Sequence, residues 1–145
     1  MYKSQLTNIT GSDPISKFSF QGCFASNKIP KIQKNKFIIL NTHPAEKQGE
    51  HWTVLFRENG GLYEFFDSLG QHPKTYSFRN FPSKYNFTKK MVQNPFQDTC
   101  GYFCLYYIFH KCRGKKLDDI FANPYINDTN IKIYVSQLYG VYIEH

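Results

Sequence analysis

The stretch VQNPFQDTCGYFCLYYIFH, residues 92–110, decides the fold. It opens as a polar, proline-bearing loop, and from Gly101 to Phe109 it holds only Gly, Tyr, Phe, Cys, Leu and Ile. A run apolar on every side and too long for a strand predicts a helix over 101–112, covered on most of its circumference and ended by Gly114. The polar loop brings the start of that helix to a surface, and Cys100 stands at the joint. A cysteine wanted only for packing could lie anywhere along the run. One at the helix start lies against unpaired N–H groups and a partial positive charge, both of which favour a thiolate.

Outward from this helix, KFIIL (36–40), HWTVLFR (51–57) and LYEFFDS (62–68) read as strands, with ENGG between the last two as a hairpin signal. TYSFRNF (75–81) and FTKKMVQ (87–93) read as edge strands. KLDDIFAN (116–123) and NDTNIKIYVSQLYGVY (127–142) read as helices, the latter capped by Asn127 or Asp128 and carrying Ile131, Val135 and Leu138 on one face. The β-branched residues in the latter leave a strand open. Residues 1–35 are polar and punctuated by Gly11, Pro14, Gly22 and Pro30, which predicts a wrapping segment with at most a short helical piece at 14–18. The expected fold is α+β: a small antiparallel or mixed sheet packed on a central hydrophobic helix that carries the nucleophile candidate at its N-terminus. With no repeat, low-complexity tract or linker, residues 1–145 read as one domain.

At 145 residues the chain can bury roughly two-thirds of its unfolded surface without staples. The four cysteines, Cys23, Cys100, Cys104 and Cys112, are expected to be free thiols in a reducing compartment. MYKSQLTNITGSDP at the N-terminus has no apolar core for a signal peptide, and no segment approaches membrane-spanning length. The sequons at Asn8, Asn86 and Asn127 are therefore set aside. Net charge is +7, clustered at Lys28, Lys31, Lys34 and Lys36 and again at Lys111, Arg113, Lys115 and Lys116. An acidic partner would fit. The lysines lack the regular spacing or aromatic interleaving of a nucleic-acid platform, so solvated faces are the simpler account.

A thiol nucleophile needs a base, and five histidines are on offer. His110 shares the helix, but ten residues at 1.5 Å each put it roughly 15 Å down the axis. His43 and His72 lie in proline-flanked loops and His145 ends the chain. His51 opens a strand beside Trp52, which makes it the candidate base. The next strand offers Glu64 and Asp67 as the group that orients the imidazole. A three-residue NGG loop opposes Glu58 to Leu62 and Thr53 to Asp67, which puts Asp67 on the face of His51 and Glu64 on the other. A two-residue NG turn reverses the assignment. The longer loop is preferred because it also sets the acid at the strand end, near a surface. For a tetrahedral intermediate, the Cys100 backbone N–H is one donor and a side-chain amide another; Gln93, at the end of the expected MVQ strand, is preferred to Gln97 in the loop.

These residues resemble a known family. His-Trp, an acid in FFDSLG, a glutamine, and Cys-Gly at the start of an apolar helix occur in the order of the adenovirus-type cysteine proteases and, more distantly, the ubiquitin-like-protein-processing proteases of the same clan. NTHPAEKQGEHW, YEFFDSLG and VQNPFQDTCGYFC carry the likeness, between Asn41 and Cys104. The resemblance implies Cys100 as nucleophile, His51 as general base and acid, Asp67 as its orienter and Gln93 as oxyanion donor. It implies cleavage of peptide bonds after small residues, often glycine, in maturing viral capsid or other structural proteins, within the virion or the host cell interior. It points to a virophage or polinton-like source. No cysteine lies between Gln71 and Gln93, where the adenoviral enzyme ties down an activating peptide, and the acid is aspartate where that enzyme has glutamate.

Plainer readings stand beside these. Cys104 and Cys112 read as core packing, and Trp52 as either a core residue or a substrate-binding wall. Asp98 and Thr99 read as ordinary helix caps. A zinc site from Cys100, Cys104 and His51 lacks paired-ligand spacing, so no metal or cofactor is expected. Rival functions are a deconjugase of ubiquitin-like proteins and a catalytically silent binding module of the same fold. The expected partners are viral structural proteins, with weak non-specific DNA binding, no membrane, and a monomeric state.

Overall fold

The computed structural model describes residues 1–46 and 51–142; His145 and part of the NTHPAEKQGEHW segment lie outside them. A five-stranded mixed sheet runs β1 (Phe20–Phe24), β2 (Lys36–Asn41), β3 (Trp52–Arg57), β4 (Tyr63–Phe66) and β5 (Tyr85–Phe87), in spatial order β1-β2-β3-β4-β5. β2, β3 and β4 are antiparallel neighbours, and the two outer strands pair in parallel. The fold is the expected α+β arrangement of a small mixed sheet on a central hydrophobic helix.

Strand alternation sends Phe37, Ile39, Val54, Phe56 and Phe66 to one face, where they meet α3 (Cys100–Lys111). Ile38, Leu40, Leu55 and Phe65 go to the other face, under Ile32 and the aromatic residues Tyr76, Phe78 and Phe81. Every residue of α3 from Cys100 to Ile108 is buried. Phe66 stacks on Tyr107 at 4.7 Å and on Phe121 at 5.2 Å, each ring of this kind contributing about 2–3 kcal/mol by burial. α5 (Ile131–Tyr139) covers the far side of α3, and Tyr139 Oη donates to the Leu105 carbonyl at 2.5 Å.

The hairpin has the three-residue loop. Val54 opposes Phe66 and Arg57 opposes Tyr63, while Glu58 N donates to the Leu62 carbonyl at 2.8 Å. Gly61 at φ +92 supplies the left-handed residue such a loop requires. Glu64 consequently faces the helix, where it accepts from Tyr107 Oη and pairs with Lys111 Nζ at 3.1 Å.

Several expectations differ from the structure. Residues 1–35 hold more regular structure than a wrapping segment: the helical piece expected at 14–18 is α2 (Pro14–Ser19), and α1 (Lys3–Ser12) and β1 stand on either side of it. Segment 75–81 is no strand but a 3-10 turn, Pro73–Thr75, followed by irregular chain whose aromatic residues pack on Phe65. Segment 87–93 holds only the last residue of β5, so Gln93 does not sit on a strand. Of the two expected caps, Asn127 accepts from Thr129 N and Asn130 N with its side chain, capping the turn that leads into α5, whose N-cap is Asn130; Asp128 instead accepts from Thr99 Oγ1 at 2.5 Å and from Asn94 N at 2.8 Å. Thr99 stands at the N-cap of α3 without a side-chain cap bond, and its hydroxyl donates to Asp128. Of the basic clusters, Lys36 donates to the Phe18 carbonyl, Lys111 pairs with Glu58 and Glu64, and Arg113 pairs with Asp13. These three charges serve the fold.

Candidate functional site

Cys100 is the first residue of α3, 3% exposed, and its side chain lies where the helix start meets the beginning of β3. The Trp52 backbone N–H points at Cys100 Sγ from 3.5 Å. The Cys100 N–H belongs to the first helical turn, whose donors have no intrahelical acceptor. Sulfur therefore sits between a backbone donor and the positive end of the helix.

His51 immediately precedes β3 and is buried. Its Nε2 lies 2.6 Å from Asp67 Oδ1, which leaves Nδ1 as the nitrogen available to the Cys100 thiol. Burial alone would lower the imidazole pKa. The bonds to Asp67 and to Cys100, with their charges, outweigh it and raise the value to about 9. The ring is thus held as a cation beside sulfur, the charge partner that a thiolate needs.

Asp67 has no exposed surface and accepts four donors. Oδ1 takes His51 and, at 3.0 Å, Leu69 N; Oδ2 takes Tyr76 Oη at 2.6 Å and Gln71 N at 3.3 Å. The Leu69 bond is an Asx turn, in which an aspartate folds the following chain onto its own carboxylate. Tyr76 also tilts its ring against His51, with centroids 6.1 Å apart. Burial, followed by the bond to Asp67, pushes the Tyr76 phenol up, so it stays a donor.

Gln93 is 4% exposed and lies in the loop before α3. Its Oε1 accepts from Ser68 Oγ at 2.5 Å, and its Nε2 donates to the Gln97 carbonyl at 2.7 Å. His51, Gln93 and Cys100 line one cleft of about 680 Å³, with Tyr76, Arg79 and Asp98 on its walls. A second cleft of about 780 Å³ meets it at Cys100 and is walled by Met1, Trp52, Tyr102 and Pro44. Cys100 lines both clefts. Trp52 lines the second cleft and also packs on the core, its indole N–H donating to the Met1 carbonyl at 2.9 Å.

Of the other described thiols and imidazoles, His43 alone shares these clefts. Cys104 is fully buried, donates to the Trp52 carbonyl at 3.3 Å, and is pushed up by burial. His72 accepts from Lys74 N, and His110 packs edge-on against Tyr106. His43 lines both clefts. Ser68 and Tyr76 escaped the sequence reading, since a hydroxyl that acts through another side chain leaves no spacing pattern. The adjacency of Ser68 to Asp67 in FFDSLG was the signal available. Among the described residues no group of His, Cys, Asp and Glu could hold a metal ion. No helix among them is long and apolar enough to cross a membrane.

No protein-family model matches the chain. In an alignment of 141 positions the chain is 28% identical to a bovine adenovirus 4 protein described as a protease, covering 81% of this chain and 69% of that one. Among solved structures, that of an ASFV protease, a selenomethionine crystal form, superposes with a TM-score of 0.47 and 19% identity. That superposition covers 74% of this chain, and the chain spans 45% of that protein.

Proposed function

We propose that this chain is an adenain-like cysteine endopeptidase that hydrolyses peptide bonds through Cys100, His51, Asp67 and Gln93, a reading supported by its likeness to an adenovirus protease. The observation that carries the proposal is His51, bonded to the Asp67 carboxylate at 2.6 Å, lining one cleft with Gln93 and with Cys100 at a helix start. Cys100 Sγ, as thiolate, attacks the scissile carbonyl carbon. The developing oxyanion is met by the Cys100 backbone N–H and by Gln93 Nε2. Imidazolium His51 gives its proton to the leaving amine, and a thioester remains. Neutral His51 then takes a proton from water, the hydroxide attacks the thioester, and the thiolate leaves. Asp67 holds the ring through Nε2 and stabilises its cationic form throughout.

The finer assignments come with the likeness to the adenoviral enzyme. Cleavage after small residues, glycine foremost, in viral structural proteins is the specificity proposed, with Trp52 as a wall for substrate and action in the virion or host cell interior. Residues 1–145 are read as a single protease domain, and the chemistry proposed needs no metal or cofactor. DNA binds weakly and without sequence preference, a role proposed for the lysine cluster at Lys28, Lys31 and Lys34. The experiment is direct: Cys100→Ala should fold normally and lose both peptide cleavage and labelling by a glycine-based electrophile. Cleavage at the wild-type rate by that variant would refute the assignment.

A further inference from the structure

We propose that Ser68 is a positioning residue for the oxyanion donor, its hydroxyl holding the oxygen end of the Gln93 amide so that the N–H end faces the cleft. The inference rests on the reading of Gln93 given above. An amide has two ends of similar shape and opposite sense, an acceptor oxygen and a donor nitrogen. Only the nitrogen can stabilise a developing oxyanion; turned by half a rotation, Gln93 would aim lone pairs at negative charge.

Two contacts set the sense of the group. The Gln97 carbonyl takes one Nε2 proton at 2.7 Å, and a carbonyl cannot accept from an amide oxygen. Ser68 Oγ donates to Oε1 at 2.5 Å, between side chains 0% and 4% exposed, so no solvent replaces the bond if it is removed. The second Nε2 proton has no partner among the described residues.

The backbone is arranged for this contact. The Ser68 carbonyl accepts from Val92 N at 2.8 Å and Gln93 N at 3.0 Å, fastening the loop to residue 68 by main chain as well as side chain. Gly70, at φ +67, ends a turn closed by its N–H on the Asp67 carbonyl. A Cβ on Gly70 would meet Met91 N at 2.8 Å and the Lys90 carbonyl carbon at 2.9 Å, so only glycine lets the 90–93 chain approach this closely. Asp67, at the head of the same turn, holds His51. Neighbouring residues of one turn therefore position both the imidazole and the amide, which ties acid-base and oxyanion geometry to a single rigid element.

The test uses the full chain with Ser68→Ala, Ser68→Cys and Gln93→Ala, and three readouts. These are turnover of a peptide amide, inhibition by a peptide aldehyde, and alkylation by iodoacetamide read at Cys100 by peptide mass. The aldehyde forms a hemithioacetal whose oxygen needs the same donors as the transition state. Iodoacetamide reacts by displacement at carbon, forming the S–C bond as iodide leaves, and creates no oxyanion. Ser68→Ala is expected to lower kcat roughly tenfold to a hundredfold with little change in KM, against roughly a hundredfold to a thousandfold for Gln93→Ala. Aldehyde inhibition should weaken in parallel while Cys100 alkylation holds, and Ser68→Ala should add nothing in the Gln93→Ala background. Ser68→Cys keeps the shape with a weaker donor, so the same losses are expected there should the alanine variant not fold. Full activity in both Ser68 variants beside an impaired Gln93→Ala would overturn the inference, as would alkylation slowed as much as turnover. A harmless Gln93→Ala would instead remove the reading of Gln93 on which the inference stands.

Discussion

Replacing Asp67 by asparagine tests the electrostatic half of the proposed mechanism. The native carboxylate is fully buried and accepts from His51 at 2.6 Å, Tyr76 at 2.6 Å, Leu69 at 3.0 Å and Gln71 at 3.3 Å. Burial would depress the His51 pKa, but Asp67 and Cys100 together raise it from 6.5 to about 9. That difference corresponds to about 3 kcal/mol in favour of the imidazolium. Asparagine keeps the shape, removes the charge, and turns an amide donor toward one of the existing donors. With Cys100 alone opposing burial, kcat/KM near neutral pH should fall on the order of a hundredfold. The linked effect on stability has a definite sign. A folded-state pKa above the unfolded one stabilises fully below pH 6.5, and the contribution is lost as pH rises through about 9. Wild-type melting temperature should therefore decline across that window, and that of Asp67→Asn should decline less. An NMR titration of the His51 ring with pH profiles of turnover and melting reads all three quantities. A variant that kept both the wild-type His51 pKa and wild-type turnover would refute the reasoning.

Glu64→Ala should destabilise by about 3 kcal/mol, since it strands the buried Tyr107 hydroxyl and takes one carboxylate from Lys111, yet leave kcat close to wild type in the folded fraction; urea unfolding and kinetics check the two halves. Cys104→Ala should retain activity and cost about 1 kcal/mol, and iodoacetamide should modify Cys100 long before Cys104, whose thiol is buried and pushed up. Arg113→Ala should raise the midpoint of acid unfolding. Burial would raise the Asp13 pKa, but Arg113 holds it at about 2, so the stabilisation is present above 3.8 and lost as pH falls through about 2. DNA affinity should fall by orders of magnitude between low and moderate salt, and neutralising Lys28, Lys31 and Lys34 should flatten that slope; fluorescence anisotropy at a series of salt concentrations measures it.

The parts of the fold that were legible in the sequence owe their shape to local apolar pattern. Strands β2, β3 and β4 are short apolar runs between turn residues, and α3 is apolar on every side. The turn chemistry of ENGG carried the register, and with it the separation of Asp67 from Glu64. The N-terminal elements lacked such a pattern. In α1 only Leu6 and Thr10 are buried, so the helix depends on packing against β1 and α3 rather than on its own periodicity. β1 contains Gly22 at φ +127 and slips register between Phe20 and Cys23, and its alternation is broken for that reason. Segment 75–81 misled in the opposite direction. Its alternating aromatic residues, Tyr76, Phe78 and Phe81, pack as irregular chain against Phe65, so period-two hydrophobicity arose without a ladder.

The site divides along a related line. Cys100 and His51 were legible because each stands at the end of a regular element, and a residue at such an end has its direction set by a few local rules. Gln93 was singled out by an argument from strand rigidity, and the strand is absent there; what holds the residue is a buried hydroxyl from residue 68 and a glycine that admits its backbone. Contacts of this kind join segments some 25 positions apart in the chain, so neither periodicity nor spacing can encode them. They become visible once the 67–70 turn is placed, because Asp67 then has to satisfy four donors and Ser68 has to satisfy a buried amide. The same logic explains Tyr76. A fully buried carboxylate must be surrounded by donors, and the sequence shows that the demand exists without showing which residue meets it. Removing that hydroxyl with Tyr76→Phe should leave the His51 pKa raised, where Asp67→Asn lowers it, because the carboxylate charge that holds the imidazolium survives; an NMR titration of the ring separates the two variants.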